Sequence, residues 1–326
     1  MMNLTTTFVG LKLKSPIIAG SCGLTADIRQ MQEMERNGVG AVILKSIFEE
    51  QIRMETEQMI DSTNFPNQEN YIREYTKAHT IQQYLDLIKE AKNKLTIPVI
   101  ASINCIKEGE WIDFAQKIEE AGADALELNI FLIPLDEFKE SSEVEEIYYN
   151  IVKRVKAQIG IPVIVKLGRN FTNLSTFVSK LKGYGADAVT LFNRFYEPDI
   201  DIDKMTLGAA PVFSLPTDLR MSLRWTGILA GKDPQLQISS STGVHDGRAV
   251  VKMLLAGATT VQVCSGLYES GASLIQSMNE FVSSWMKEKS FKQIADFKGM
   301  LSYGNIENAE RYERAQFMKY FSSRNA

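Results

Sequence analysis

Two kinds of segment alternate along this chain, and their alternation limits the fold. One kind is Pro followed by apolar residues: KSPIIAGS from Lys14, TIPVIASIN from Thr96, GIPVIVKLG from Gly160 and KDPQLQISSS from Lys232. The other is Gly-Ala-Asp, or a near variant, followed by apolar residues: NGVGAVILKS from Asn37, AGADALELN from Ala121, YGADAVTLFN from Tyr184 and AGATTVQVCS from Ala256. Short apolar runs bounded by Pro and Gly read as buried parallel strands. Interleaved, they predict eight strands, near 16–22, 41–47, 98–104, 125–131, 162–168, 188–194, 235–241 and 260–266. Amphipathic stretches such as WIDFAQKIEEAG and FVSKLKGYG fall between them and end in Gly, as helices often do. The expectation is an α/β protein, a (β/α)8 TIM barrel, as a single domain over 1–326. TTTFVGLKL predicts an N-terminal hairpin closing one end of the barrel.

In such a barrel the chemistry sits at the C-terminal ends of the strands. There the sequence places Ser21, Lys45, Asn104, Asn129, Lys166, Asn193, Ser241 and Ser265. Two connections are too long for plain β–α loops. One runs from about Phe48 to Thr80 after strand 2, the other from about Phe195 to Pro234 after strand 6. Both leave the functional end of the barrel, where long ordered loops commonly serve function. His79 is read as the start of a helix, KAHTIQQYLDLIKEAK, and KESSEVEE as a solvated helix start.

Composition narrows the partners. Lys plus Arg number 36 and Asp plus Glu 40, a net charge of −4, which gives no electrostatic reason to bind nucleic acid or an anionic membrane. No apolar run approaches the ~20 residues of a membrane span, and MMNLTTTFVG lacks the basic and apolar regions of a signal peptide. Three scattered cysteines, Cys22, Cys105 and Cys264, fit a reducing cytoplasm better than a disulfide framework. They are too few and too far apart for an iron–sulfur cluster. Two isolated histidines, His79 and His245, argue against a zinc site or a Ser-His-Asp triad. The expectation is a cytoplasmic protein acting on a small molecule.

Lys45 in VILKS and Lys166 in VIVKL end apolar strands, where a Lys is either buried and paired or aimed at an anion. Two readings stay open: a Schiff-base lysine, or cations stabilising a bound group that becomes anionic. SSSTGVHDG after strand 7 and VCSGLYESG after strand 8 are small, hydroxyl-rich and Gly-containing, and each precedes a helix. Loops of that kind, in that position, hold phosphate in barrels. Asn104, Asn129 and Asn193 each offer a donor and an acceptor, which suits the edge of a flat heterocycle.

In this order these motifs resemble the dihydroorotate dehydrogenase family, including the matching barrel of dihydropyrimidine dehydrogenase, over nearly the whole chain. ASINCIKEGEWIDFAQKIEEAGADALELN is particularly similar to the latter. The resemblance implies an FMN-containing barrel that oxidises or reduces a C–C bond of a pyrimidine or related ring. It implies that Gly20, Ser21, Lys45, Ser46, Asn104, Asn129 and Lys166 border the flavin, with Lys166 stabilising the reduced ring. It further implies that Ser214, Thr242, Gly243, Cys264, Ser265 and Gly266 belong to the cofactor site, and that Asn67 and Asn193 bind substrate. A homodimer and an electron-transfer partner are also implied.

The departures fall on the substrate side. The family reads LNLSCPN after strand 4, where a Cys or Ser takes the substrate's proton. This chain reads LNIFLIP, which puts Leu132 at that position. The Pro moves to Pro134, Arg194 follows Asn193 in place of a small hydroxylated residue, and Thr242 and Cys264 each replace a Gly. The resemblance implies an oxidoreductase with a retained flavin half and a rebuilt substrate half, Lys166 and Lys45 carrying its charges. The alternatives are an FMN-binding subunit without the dehydrogenation and a lysine-dependent lyase. Ser62, Thr63 and Tyr71 of the first long loop are available as a replacement base.

Overall fold

Each of the eight apolar runs forms a strand in the computed structural model, which describes residues 2–48, 52, 54, 56–57, 59–60, 69–104, 108–194 and 197–313. The strands are β1 (Ile17–Ala19), β2 (Ala41–Ile43), β3 (Val99–Asn104), β4 (Ala125–Asn129), β5 (Val163–Leu167), β6 (Ala188–Leu191), β7 (Gln237–Ser240) and β8 (Thr260–Val263). Each pairs in parallel with the next, and β8 pairs with β1, so the sheet closes. Four of them, β1, β4, β6 and β8, end two or three residues earlier than expected, because the polar ends peel off the ladder to build the mouth.

The helices α1 (Ile28–Arg36), α2 (Glu69–Lys94), α3 (Glu108–Glu120), α4 (Ser141–Lys156), α5 (Leu174–Gly183), α6 (Leu219–Lys232), α7 (Gly247–Ala256) and α8 (Ser273–Glu288) lie between and after the strands. The recurrent Asp of the Gly-Ala-Asp segments has a structural task. Asp124 accepts the Val99 N–H at 2.8 Å and the Lys92 ammonium at 2.6 Å, joining the end of α2 to the start of β3. Asp187 repeats this one unit later, with the Val163 N–H at 2.7 Å and Lys156 at 2.6 Å. The motif therefore fastens helix to barrel at the face opposite the site.

Inside the barrel two levels differ in chemistry. The lower level is apolar: Ile18, Ala41, Ile43, Ile100, Ala125, Ile164 and Ala188 pack against Phe8, Val9 and Leu13 of the N-terminal hairpin. That hairpin, Thr6–Phe8 with Leu11–Leu13, is the expected plug. Its turn puts Val9 at φ 46° and Gly10 at φ 83°, and Gln237 Oε1 accepts the Val9 N–H at 2.7 Å, tying the plug to β7. The upper level is polar and fully buried: Ser102, Glu127, Thr190 and Ser239, with Gln262 close to that.

Two elements differ from the sequence expectation. α2 begins at Glu69, so His79 lies in its interior rather than at its start. The excursion after β6 carries an exposed antiparallel hairpin, Pro198–Asp201 with Thr206–Ala209, ahead of α6. Within FKQIADFKGM the chain makes a single helical turn, Ile294–Asp296.

Candidate functional site

The C-terminal ends of β1, β5, β6, β7 and β8 surround a cavity of about 410 Å³, within the range of small-molecule sites. Ser21 to Gly23 form one wall. Lys166, Phe192 to Arg194, Val212 to Ser214, Ser241 to Val244, Gln262, Cys264, Ser265 and Tyr268 form the rest.

Lys166 is the buried cation of this cavity, and the fold has prepared its place. Lys166 and Glu127 point inward from neighbouring strands. Their charged atoms lie 3.5 Å apart, with side chains 6% and 0% exposed. The second carboxylate oxygen of Glu127 accepts the Thr190 hydroxyl at 2.9 Å and Gln262 Nε2 at 3.0 Å. Removing such charges from water is costly unless they are paired and hydrogen-bonded. Here β4, β5, β6 and β8 supply the compensation together. Gln262 Oε1 has no hydrogen-bond partner among the described residues. It is an acceptor in the cavity wall that a ligand N–H would satisfy.

Around this core the structure brings most of the expected residues together. Asn193 Nδ2 donates to Asn129 Oδ1 at 2.7 Å, so a buried amide behind the wall orients the one that lines it. The Ser46 N–H donates to Ser21 Oγ at 2.9 Å, and the Ser46 hydroxyl contacts those of Ser21 at 3.0 Å and Ser102 at 2.7 Å. This hydroxyl chain spans β1 to β3. Tyr84 of α2 anchors it, accepting the Ser102 N–H and donating to the Ser102 carbonyl. Burial pushes the Tyr84 phenol well above its ordinary range.

The loops after β7 and β8 meet over Ser214. Its hydroxyl accepts the Gly243 N–H at 3.2 Å and donates to Ser265 Oγ at 3.0 Å, while its own N–H donates to Ser265 at 2.9 Å. Thr242 stands at φ 78°, a backbone region that favours glycine, and its hydroxyl holds the strained turn by donating to the Phe192 carbonyl at 2.9 Å. Gly243 follows at φ 76°. A Cβ there would lie 2.3 Å from the Leu219 nitrogen, so the crowding would fall on the backbone of α6. His245 sits beside this loop, 3.1 Å from Glu269 and 3.4 Å from Ser214.

Other expected residues lie apart. Lys45 is exposed and lines a separate groove with Asp86 and Glu90 of α2. Asn104 is half-buried at the end of β3 and outside the cavity wall. Leu132 is half-buried and packs on the apolar core. Tyr148 hydrogen-bonds the Leu132 backbone, and burial pushes its phenol up to about 12. Gly20 lies behind the wall, where a Cβ would come within 2.5 Å of Cys264 Sγ. Gly266 packs against Leu274 and the Val244 carbonyl. Asn67, Ser62 and Thr63 lie outside the described residues.

Sequence reasoning missed Glu127, Gln262 and the aromatic pair Phe213 and Tyr268, whose ring centroids lie 5.1 Å apart. A signal existed for the first two. A Glu inside ALELN and a Gln inside TVQVCS are polar residues at inward positions of otherwise apolar strands. Arg194 turns out to be a brace. It donates to the carbonyls of Pro211 at 2.8 Å and Val212 at 3.1 Å, and pairs with Asp218 at 2.9 Å.

A family model described as dihydroorotate dehydrogenase matches residues 3–286. Among curated proteins, the catalytic subunit of dihydroorotate dehydrogenase B (NAD(+)) from Thermoplasma volcanium is 25% identical over 92% of this chain and 99% of its own length. The NAD-dependent dihydropyrimidine dehydrogenase subunit PreA of Escherichia coli K12 is 23% identical over 96% of this chain and 80% of its own. Dihydroorotate dehydrogenase A (fumarate) of Lactobacillus delbrueckii subsp. bulgaricus is 24% identical over 93% of this chain and 100% of its own.

Proposed function

The chain belongs to the dihydroorotate dehydrogenase family, and from that premise we propose that it is an FMN-dependent oxidoreductase acting on a C–C bond of a pyrimidine-like ring other than dihydroorotate. The observation that carries the reading is the joint placement of a paired, buried Lys166 and the small-residue loops after β7 and β8 around one cavity. FMN fits the residues present. Lys166 answers an anionic ring edge, the unpartnered Gln262 Oε1 answers a ring N–H, and Phe213 and Tyr268 offer apolar surface. Thr242, Gly243, Cys264, Ser265 and Gly266 would hold the phosphate end.

When bound, FMN supplies two-electron redox chemistry at the substrate's C–C bond. The chain's own part is positional. Glu127 holds Lys166 in place, so its charge faces developing negative charge without reorganisation. Asn129 fixes the amide of Asn193, which leaves that side chain preset to orient a substrate. At the position the family gives to its base, Leu132 can neither take nor return a proton.

Two steps test this. The purified protein, reconstituted with excess FMN and desalted, should retain flavin absorbance. Loss of all flavin would refute the cofactor. Dihydroorotate should then bleach that absorbance about 10²–10⁴-fold more slowly than it does with a relative that carries the base, the usual worth of a positioned general base. Rapid bleaching by dihydroorotate would refute the assignment of Leu132. The names of the Thermoplasma and Escherichia relatives as subunits favour an electron-transfer partner for the second half-reaction. The loss of the base equally favours a second reading, an FMN-binding subunit without dehydrogenation, which predicts no bleaching by any dihydropyrimidine.

A further inference from the structure

Cys22 and Cys264 are distant in sequence, yet both line the cavity. The barrel's closure brings them together. Val263 pairs with Ala19, and the Gly20 N–H donates to the Val263 carbonyl at 3.0 Å, so Cys264 stands opposite Gly20, two residues before Cys22. Its Sγ lies 3.9 Å from the Ser21 carbonyl. Gly20 makes room for it, since a Cβ there would fall 2.5 Å from that sulfur. The two thiols are near enough to shift one another, Cys22 downward and Cys264 upward.

Their surroundings divide the roles. Cys22 is half-buried at the cavity wall. Its sulfur also accepts from the Leu24 and Thr25 backbone, each favouring a thiolate, while the Thr25 hydroxyl donates to the Cys22 carbonyl at 2.9 Å. Tyr268 lies close by, hydrogen-bonded to the backbone of Gly23 and Leu24. Cys264 is held protonated by its nearness to Cys22 and by burial, with Glu127 acting in the same direction and Lys166 against it.

We propose that Cys22 and Cys264 are a redox-active dithiol in the cavity wall, with Cys22 attacking a disulfide substrate and Cys264 resolving the mixed disulfide. The Cys22 thiolate attacks one sulfur of R–S–S–R, forming a Cys22–S–S–R bond and releasing RS⁻, which takes up a proton. Cys264 then loses its proton and attacks Cys22 Sγ, expelling the second RS⁻. The disulfide is reduced to two thiols and the protein gains one Cys22–Cys264 disulfide. This activity needs no flavin; bound FMN would fill the cavity that the disulfide must enter, so the two would compete.

The test uses the full-length protein in a graded series of reduced and oxidised glutathione, with peptide mapping by mass spectrometry. A Cys22–Cys264 cross-linked peptide should rise with the oxidised fraction and disappear on reduction. The Cys264→Ser variant should instead accumulate glutathione on Cys22. Failure to find the cross-link at any ratio, or adducts only on Cys105 or Cys264, would overturn the proposal. Wild-type protein supplies a check that no substitution can confuse. Iodoacetamide should label Cys22 first, with a rate that levels off above about pH 7, because its thiol is lowered to about 6. A free cysteine's rate keeps climbing through ~8.5. The first proton lost belongs to the pair. A profile like that of a free cysteine would remove the basis for Cys22 as the attacking sulfur.

Discussion

Replacing Lys166 alone removes one charge of a pair whose other charge cannot follow it. Glu127 is fully buried, and among the described residues one of its carboxylate oxygens meets Lys166 and no hydrogen-bond donor. Breaking a buried pair from one side typically costs about 3–5 kcal/mol, because the remaining charge is left uncompensated. Lys166→Met should therefore destabilise by about that amount, and Glu127→Gln by a similar one, since either leaves its partner stranded. The double variant strands nothing. The amide introduced by Glu127→Gln would still meet Thr190 and Gln262 by hydrogen bonds, and replacing such a pair with neutral groups is often close to neutral. The two single costs should thus sum to about 6–10 kcal/mol, with the double variant recovering most of it.

Urea unfolding of the four proteins, free of added ligand, measures this cycle through midpoint and slope. Additive single costs would refute the pairing. They would mean that the two charges are compensated separately, by water or by residues outside the described set. The cycle also bears on function. A loss of cofactor affinity in Lys166→Met alone mixes instability with lost contact. The same loss in the stable double variant reports the contact itself.

Two further outcomes follow from the geometry. Gly243→Ala combines a left-handed backbone cost of about 1–2 kcal/mol with a backbone collision worth about 1–3 kcal/mol, whereas Gly10→Ala, at φ 83° with open space around it, should show only the first. Equal losses for the two in urea titrations would contradict the packing of Gly243 on α6. Arg194→Ala should release the segment from Pro211 to Leu215, raising amide hydrogen exchange there several-fold while β6 and β7 keep their protection. Unchanged exchange at those amides would show that the brace does not hold the loop.

The eight strands were legible because a parallel barrel buries both faces of each strand, leaving contiguous apolar runs between Pro and Gly. Their early ends were not, since the polar residues that leave the ladder continue the same stretch of sequence. The hairpin of 198–209 was illegible for a different reason. Ile200 and Leu207 are 64% and 77% exposed, so no burial pattern marks it as sheet. The full length of α2 was hidden too, because ENYIREYTKA shows no clear apolar stripe. Of the residues that strand-end position singled out, Ser21, Lys166, Asn193, Ser241 and Ser265 line the cavity. Lys45 lies apart from it, because successive residues on a chain leaving a strand face opposite ways, and there Ser46 took the inward direction.

That asymmetry has a chemical consequence. The polar wall is built by β1 and by β5 to β8, while on the opposite side Lys45 faces outward and Leu132 packs into the core. Charge stabilisation is therefore concentrated against one face of the cavity. The other face offers, among the described residues, no side chain placed to exchange a proton with a substrate lying on Lys166. A substrate whose oxidation needs a proton taken from carbon on that face would find no base there, the Cys22 and Cys264 thiols both lying on the polar wall. Reduction meets the same obstacle, because the proton added to carbon must come from the place that takes it in oxidation; only a substrate that exchanges this proton with solvent meets none. Turnover of a pyrimidine and of its dihydro form should therefore both be slow. Rapid turnover in either direction would show that another residue exchanges the proton in the cavity.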